Sequence, residues 1–210
     1  MLRPAAPRRD PRLRMPRRCI AWSMTEGFVA LGGDKGLLKV LKIDPGSAGV
    51  NLTMNQSLAG HQEGVRVVRW NDQYQKLTSS DESGMIIVWM FHDGQWYEEM
   101  INNRNKSTVR DMRWSADGLK ICIAYADAAV IVGSVDGKRL WGKDLSLPNL
   151  ALVEWSPDSR LILFCTETEC HLYDASGNAI QQVPLAVLQV RERGRGCGCK
   201  VACRAWRSWV

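Results

Sequence analysis

Three sets of side chains lie close enough in sequence to be weighed as chemical sites. Cys197, Cys199 and Cys203 could hold a soft metal ion, but three thiolates without a fourth ligand or a nearby His leave a tetrahedral zinc shell incomplete. Glu98-Glu99 and Glu167/Glu169 are paired carboxylates of the kind acid–base chemistry uses, yet both lie in polar stretches where solvated charge is the default. Leu31-Gly-Gly-Asp-Lys-Gly36 is glycine-rich and carries a Lys. It joins two extended runs and opens no helix, so it reads as a turn needing positive φ, not as a phosphate cradle. The chain contains no His-Glu-x-x-His, no Gly-x-Ser-x-Gly and no Gly-Lys-Ser/Thr. Its three His are isolated from one another and from the Cys, and His61 is the best placed of them, as a structural hydrogen-bonder. These residues point to no catalytic group, no cofactor and no metal, and a non-enzymatic protein is expected.

The elements that carry these residues are set off from two basic ends. The chain has 210 residues, 45% hydrophobic and 24% charged, a globular composition, and no apolar run approaches the ~18 residues of a membrane helix. The formal net charge is +6, but residues 1–18 contribute +6 and residues 191–210 contribute +5, so residues 19–190 carry −5. A nucleic-acid surface needs positive charge clustered on the folded face, and a nucleic-acid partner is excluded on that ground. Residues 1–18 alternate Arg with four of the eight Pro, which denies them a helix interior, and residues 191–210 show no apolar period; both are expected to be disordered. Cys19, Cys122, Cys165 and Cys170 lie in apolar runs where a free thiol acts as a small hydrophobe, and with no secretory signal apparent a reduced intracellular protein is expected.

Within residues 19–190 one pattern recurs: an apolar residue, one residue, Trp, then Ser or Asn. It appears as Ile20-Ala-Trp22-Ser23, Val68-Arg-Trp70-Asn71, Met112-Arg-Trp114-Ser115 and Val153-Glu-Trp155-Ser156, with the Trp spaced by 48, 44 and 41 residues. Each Trp is followed by a second apolar run (Phe28–Leu31, Lys76–Ser79, Lys120–Ala124, Arg160–Phe164) and a third (Leu37–Leu41, Met85–Trp89, Ala129–Val132, His171–Tyr173). A fourth, more polar run closes each unit, after Asp93-Gly94, Asp136-Gly137 and Ser176-Gly177 in the last three. Short β-branched and aromatic runs between Gly/Asp turns mean antiparallel hairpins. Four strands per ~40–45 residues is the signature of a WD-repeat propeller blade. The expected fold is therefore all-β: about four blades of an incomplete ring, at residues 19–58, 59–101, 108–145 and 150–187. Trp22, Trp70, Trp114 and Trp155 should bury their rings between adjacent blades.

Blades of this kind often tie their strands with a His, Ser/Thr, Asp and Trp network. Only the second unit approaches it, with His61, Ser79 and Trp89; the Asp expected before Gly84 is Ser83, and Asp81 stands two positions early. The Trp-Asp dipeptide itself is absent, Trp89 being followed by Met90, and the fourth unit offers Tyr173-Asp174. Asp127-Ala128 replaces Asp-Gly in the third unit, and Glu167-Thr-Glu169 leaves the fourth without a turn Gly.

Several strings are unusual for WD repeats: Trp70-Asn-Asp-Gln-Tyr-Gln-Lys-Leu77, Met85-Ile-Ile-Val-Trp-Met90, Glu98-Glu-Met-Ile-Asn-Asn-Arg-Asn-Lys-Ser107, and Lys120-Ile-Cys-Ile-Ala-Tyr continuing to Leu145. Together they resemble the start of the WD repeat-containing protein 35 family, the intraflagellar transport protein 121 homologues, over residues 19–187 and most strongly over 60–145. Tubby-like proteins with a WD head are similar around residues 70–77 but lack the Ile101–Ser107 stretch. The resemblance implies two N-terminal propellers and a long helical repeat domain in the family, of which this chain is expected to hold about four blades of the first propeller. It implies a scaffold subunit of intraflagellar transport complex A, acting in retrograde transport, cilium assembly and ciliary entry of membrane proteins. Other complex A subunits are the implied partners, with tubby-like cargo adaptors beside them; the implied places are cytoplasm, cilium, basal body and axoneme. The alternative function is a WD-repeat adaptor for ubiquitin ligation or for phosphoinositide or phosphopeptide binding, for which Arg104, Lys106 and Arg110 form a loose basic patch.

Overall fold

The computed structural model describes residues 19–46, 49–104 and 107–185. Both expected disordered ends, with Cys197, Cys199, Cys203 and Lys106, lie outside the described residues. Among the described residues, sixteen strands form four blades. Blade 1 holds β1 (Cys19–Trp22), β2 (Phe28–Gly32), β3 (Leu38–Gly46) and β4 (Gly49–Ser57). Blade 2 holds β5 (Val65–Asn71), β6 (Lys76–Asp81), β7 (Met85–His92) and β8 (Gln95–Asn103). Blade 3 holds β9 (Val109–Trp114), β10 (Lys120–Tyr125), β11 (Ala129–Ser134) and β12 (Arg139–Asp144). Blade 4 holds β13 (Leu152–Trp155), β14 (Leu161–Cys165), β15 (Glu169–Asp174) and β16 (Ala179–Pro184).

Each blade is an antiparallel meander with its strands side by side in chain order, the arrangement that its two- to five-residue turns enforce. The first strands β1, β5, β9 and β13 lie next to one another and form the inner wall of an arc. Strand character follows position. β6 and β10, packed on both faces, are buried almost throughout, whereas β16 is exposed along its length. The outermost turns Asp93-Gly94, Asp136-Gly137 and Ser176-Gly177 each place Gly at positive φ (77°, 82° and 86°). In blade 3, Ala128 takes the turn that Gly would fill, at φ 65°.

The core is divided among the blade junctions. Phe28, Ala30, Leu38 and Val40 of blade 1 pack with Val65, Val68, Leu77, Ile87, Trp89 and Trp96 of blade 2. Val67 and Ile86 of blade 2 pack with Val109, Met112, Ile121, Ile123 and Tyr125 of blade 3. Cys122, Ala124, Val130 and Val132 of blade 3 pack with Val153, Trp155, Ile162 and Phe164 of blade 4. Neither half of any of these clusters is dry alone, so each blade depends on its neighbour, as in other repeat stacks. The arc does not close on itself among the described residues: blade 1 meets only blade 2, and blade 4 only blade 3.

Two expectations fail in this fold. Trp22 does not bury its ring. It is 60% exposed, and Ile20 is 65% exposed, because no sheet packs on that side of blade 1 among the described residues. Cys165 and Cys170 are not free thiols but a disulfide, bridging directly opposed positions of β14 and β15 with Cα atoms 4.2 Å apart. That separation is near the ~4.5 Å of directly opposed residues in a non-hydrogen-bonded antiparallel pair and a little under the usual disulfide range. Cys19 and Cys122 are free.

Candidate functional site

The Ser or Asn after each Trp caps the turn between the first and second strands. Ser115 Oγ accepts the Lys120 N–H (3.0 Å) and donates to Asp117 Oδ1 (2.5 Å). Ser156 Oγ accepts the Leu161 N–H (2.9 Å) and donates to Asp158 Oδ1 (2.5 Å). Ser23 accepts from Glu26 N–H (3.2 Å), and Asn71 Oδ1 from Tyr74 N–H (3.3 Å). The recurrence of Trp-Ser/Asn is thus a requirement of hairpin geometry, since a short polar side chain can return to its own turn. The same turns lock neighbouring blades: Ser23 Oγ donates to Asp72 Oδ1 (2.6 Å), Asn71 Nδ2 to Gly118 O (2.9 Å), and Asp117 N–H to Ser159 Oγ (3.0 Å).

The indoles do likewise. Trp70 Nε1–H donates to Ala21 O (3.0 Å), Trp114 Nε1–H to Thr78 Oγ1 (3.1 Å) and Trp155 Nε1–H to Arg113 O (3.0 Å), each reaching the preceding blade. Trp155 is buried and Trp70 and Trp114 are half-buried. Tyr173 lies edge-on to Phe164 with centroids 5.2 Å apart. Asp174 caps the last hairpin, accepting from the N–H groups of Ser176 (2.9 Å) and Asn178 (2.8 Å).

His61, Ser79, Asp81 and Trp89 come together in blade 2. His61 Nδ1 lies 2.9 Å from Asp81 Oδ2, its Nε2 lies 2.7 Å from Ser79 Oγ, and Trp89 Nε1–H donates to Ser79 Oγ at 2.9 Å. Asp81 therefore does the work assigned by pattern to position 83. It is the last residue of β6, paired with Val65, and its carboxylate reaches the His61 ring from there. Its other oxygen accepts from Ser83 N–H (3.0 Å), Ser83 Oγ–H (2.6 Å) and Met85 N–H (3.2 Å), so Ser83 contributes as a donor to Asp81.

A Ser–His–carboxylate line invites comparison with a nucleophilic triad. Burial decides against it. Ser79 and Asp81 are 0% and 1% exposed and the His61 side chain is 0% exposed. The Ser79 oxygen is occupied by Trp89 and His61, with no face open to a substrate. The network satisfies four buried polar groups and fixes the register of three strands and a loop.

The inner wall carries a second polar set that sequence reading missed. Asp111, 2% exposed, accepts from Arg69 Nη2 (2.5 Å), from its own Met112 N–H neighbour (2.9 Å) and from Val153 N–H of blade 4 (3.2 Å). Three blades meet on one carboxylate. The available signal was the one carboxylate among the three charged residues of Val109–Trp114, placed between Arg110 and Arg113. Arg113 lies 3.4 Å from Glu154 and 3.7 Å from Asp111. Also missed was the aromatic cluster of Phe28, Trp70, Phe91 and Trp96, whose ring centroids lie 5.2–5.9 Å apart at the junction of blades 1 and 2. Trp96 was hidden in a run read as polar; it is 3% exposed, and its backbone pairs with the Gln56 side chain at 2.8 and 2.9 Å.

Of the paired carboxylates, Glu99 pairs with Lys76, and Glu169 meets His171 at 2.8 Å and also Gln182. Those contacts, His171 first, hold the Glu169 carboxyl below its usual range. The Ser156 hydroxyl and the Arg160 N–H do the same for Asp158. Burial pushes the Cys122 thiol far up, aided by the Asp111 charge, and so keeps it protonated and unreactive. The Gly32–Gly36 segment is the β2–β3 turn, with Lys35 and Gly36 at φ 55° and 71°. No group of three or more His, Cys, Asp or Glu suited to a metal ion occurs among the described residues.

Four-stranded meanders ranged about an inner wall, with inter-blade Trp and a buried His–Ser–Asp–Trp network, define a WD-repeat β-propeller scaffold. A crystal structure of a mitotic checkpoint complex contains a chain of the same fold, with a TM-score of 0.66 and 22% identity, covering 78% of this chain and 49% of that one. Residues 12–209 match the family described as WDR35/TULP4 N-terminal, and the chain belongs to that family of propellers. It is 55% identical over 181 residues to WD repeat-containing protein 35 of Rattus norvegicus and equally to that of Homo sapiens, in each case over 81% of this chain. It is 35% identical over 165 residues to tubby-related protein 4 of Homo sapiens, over 76% of the chain. The chain spans only 15–16% of the length of the first two relatives and 11% of the third.

Proposed function

We propose that this chain is a non-enzymatic protein-interaction scaffold of the WD repeat-containing protein 35 type, serving intraflagellar transport complex A in retrograde ciliary transport, cilium assembly and ciliary entry of membrane proteins. The observation that carries the reading is the 55% identity over 181 residues, against 35% to tubby-related protein 4. The burial of its polar network supports the absence of chemistry: the groups able to act as base or nucleophile are spent on holding strands. Complex A subunits are the proposed partners, with tubby-like cargo adaptors secondary to them. Cytoplasm, basal body, axoneme and cilium are the proposed places.

The phosphate-binding alternative has less behind it. Arg104 pairs with Asp127 at 3.1 Å and lies over the Tyr125 ring at 4.8 Å, which leaves that guanidinium committed. Affinity purification of the tagged chain from ciliated cells tests the proposal. Complex A subunits should be recovered above an unrelated propeller control, but more weakly than with the much longer relative, which offers more surface. Recovery no better than the control would overturn it.

A further inference from the structure

Of the four arginines on the inner strands of blades 2 and 3, three are spent within the chain. Arg66 meets Glu82 at 2.5 Å, Arg69 meets Asp111 at 2.5 Å, and Arg113 lies between Glu154 at 3.4 Å and Asp111 at 3.7 Å. Arg110 is exposed and makes no hydrogen bond, ion pair or ring contact with a described residue. We infer that the rim of blade 3, with Arg110 at its centre and Arg66 on the neighbouring strand, receives an acidic segment of a partner protein. The inference rests on the scaffold reading above and names the chemistry of one partner.

The fold places Arg110 for such a contact. Arg66 and Arg110 each stand four residues before the Trp of their strand, and each is the extra residue of a β-bulge. Val65 and Val67 oppose the consecutive Asp81 and Ser80, and Val109 and Asp111 oppose the consecutive Tyr125 and Ala124. A bulge bends its strand and re-aims a side chain. Beside each bulge, the linker from the preceding blade meets the turn between the second and third strands. Glu82 N–H donates to Gly64 O (3.0 Å), and Ala126 N–H donates to Thr108 O (2.9 Å). In blade 2 that turn follows Asp81 with Glu82, which takes the bulge arginine. In blade 3 the same two positions are Tyr125 and Ala126, so the arginine is kept and its carboxylate is missing. Asp127, the one acid of the blade 3 turn, is held by Arg104. Blades 2 and 3 each have a blade on either side, so this rim does not depend on how the arc continues.

The surroundings select the form of the ligand. A guanidinium binds a carboxylate through two parallel N–H···O bonds. The linkers and turns at the same end of the blades also carry Asp34, Glu63, Glu82, Asp127 and Glu167. A broad anionic surface, lipid or nucleic acid, would press against those acids, and like charges brought together are costly. A single extended segment can set one carboxylate on Arg110 and keep clear of them.

The test uses the full 210-residue chain and a fluorescein-labelled peptide of alternating Gly and Glu, followed by fluorescence anisotropy and by hydrogen–deuterium exchange. The peptide should bind and should protect residues 107–114. Arg110→Glu should weaken binding at least about tenfold, repulsion replacing attraction. Arg110→Ala should weaken it about threefold, the scale of an exposed ion pair. Both should leave the thermal midpoint in place, since this side chain holds nothing among the described residues. Lys138→Ala, in the exposed β11–β12 turn at the opposite end of the blade, should leave the affinity unchanged. Binding that ignores Arg110→Glu, or protection confined to residues 1–18 and 191–210, overturns the inference. So does Arg110-dependent binding to phosphatidylserine vesicles with none to the peptide. Peptide binding without recovery of complex A would overturn the proposed function alone, and recovery of complex A without peptide binding would overturn this inference alone.

Discussion

Blades 2 and 4 have the same strand order and the same cross-strand pairings, yet they are held by opposite chemistry. Trp89 in blade 2 and Tyr173 in blade 4 occupy one register position, opposite Leu77 and Ile162 respectively. The next position is Ser79 in blade 2 and Phe164 in blade 4, opposite Val68 and Val153. Blade 2 fills the gap between its second and third strands and the preceding loop with a buried polar line from Trp89 through Ser79 and His61 to Asp81. Blade 4 fills it with Phe164 and Tyr173, and its entry segment contributes Leu147 and Leu150 to the same apolar core. The two solutions differ in what a change costs. A polar line fails as a unit, because each group removed leaves a buried partner unsatisfied. An apolar plug loses only the contacts of the group removed.

The largest expected effect is therefore Trp89→Ala, about 3–5 kcal/mol, the range for emptying a buried aromatic site, with the loss of the Ser79 bond included. Tyr173→Ala at the matching position, half-buried at the margin of the blade 3–blade 4 core and edge-on to Phe164, should cost clearly less. Urea unfolding of both variants checks the order, and equal losses would erase the distinction between the blades. Next is His61→Ala, at about 1–3 kcal/mol for the buried groups it orphans. Ser79→Ala should cost a similar amount. The double variant should cost well below the sum, since both act on one line. Additive losses would show that the four residues are independent.

The difference between the blades also sorts what could be read in advance. The inter-blade Trp, the turn Ser/Asn and three members of the His61 line have fixed sequence offsets, and those offsets are set by strand length and turn size, which sequence displays. Asp81 was passed over because the pattern looks for a carboxylate directly before the turn Gly84, and only the fold shows that one at the end of β6 reaches His61 as well. Trp96 was read as part of a polar run because five residues of β8 alternate too briefly to show which face is covered. Trp22 carries the same motif as the other three Trp and differs only in meeting no neighbouring sheet among the described residues, which its own segment does not record. Asp111 joins three blades, and no local pattern records a contact between residues 42 positions apart.

The Cys165–Cys170 pair belongs to the same lesson, since facing positions emerge only once the hairpin register is known. It closes a short loop, with a sequence separation of 5, so its loss should cost about 2 kcal/mol on chain-entropy grounds. Adding dithiothreitol, or replacing both residues with Ser, should lower the thermal midpoint and do so through blade 4, whose β14–β15 hairpin is otherwise held by the Thr166 turn bonds and the Phe164–Tyr173 contact. An unchanged midpoint on reduction would mean that Phe164 and Tyr173 suffice.

The smallest effect lies in the turns and depends on pH. Asp158 is held below its ordinary range by the Ser156 hydroxyl and the Arg160 N–H, and Asp174 by the Asn178 backbone and side-chain N–H groups with that of Ser176. A carboxyl depressed in the folded chain is ionised in both states at neutral pH, and the folded state gains the full benefit of its hydrogen bonds there. As pH falls through the ordinary aspartate value near 3.8, the unfolded chain takes up protons first. Stability then declines, and the contribution is gone once pH passes below the folded value. Asp158→Asn and Asp174→Asn should each lower the thermal midpoint slightly at pH 7 and flatten its fall between about pH 5 and pH 2.5, because the charge that strengthens the turn bonds is already absent. Both side chains belong to blade 4, Asp158 exposed and Asp174 half-buried, so the change should leave the blade 2 network untouched. The Trp89 fluorescence of a variant in which the other Trp are replaced by Phe would report that separation. If Asp174→Asn moved the blade 2 transition as far as that of blade 4, the blades would unfold as one unit, and the contrast between a brittle polar blade and a tolerant apolar one would concern local cost alone.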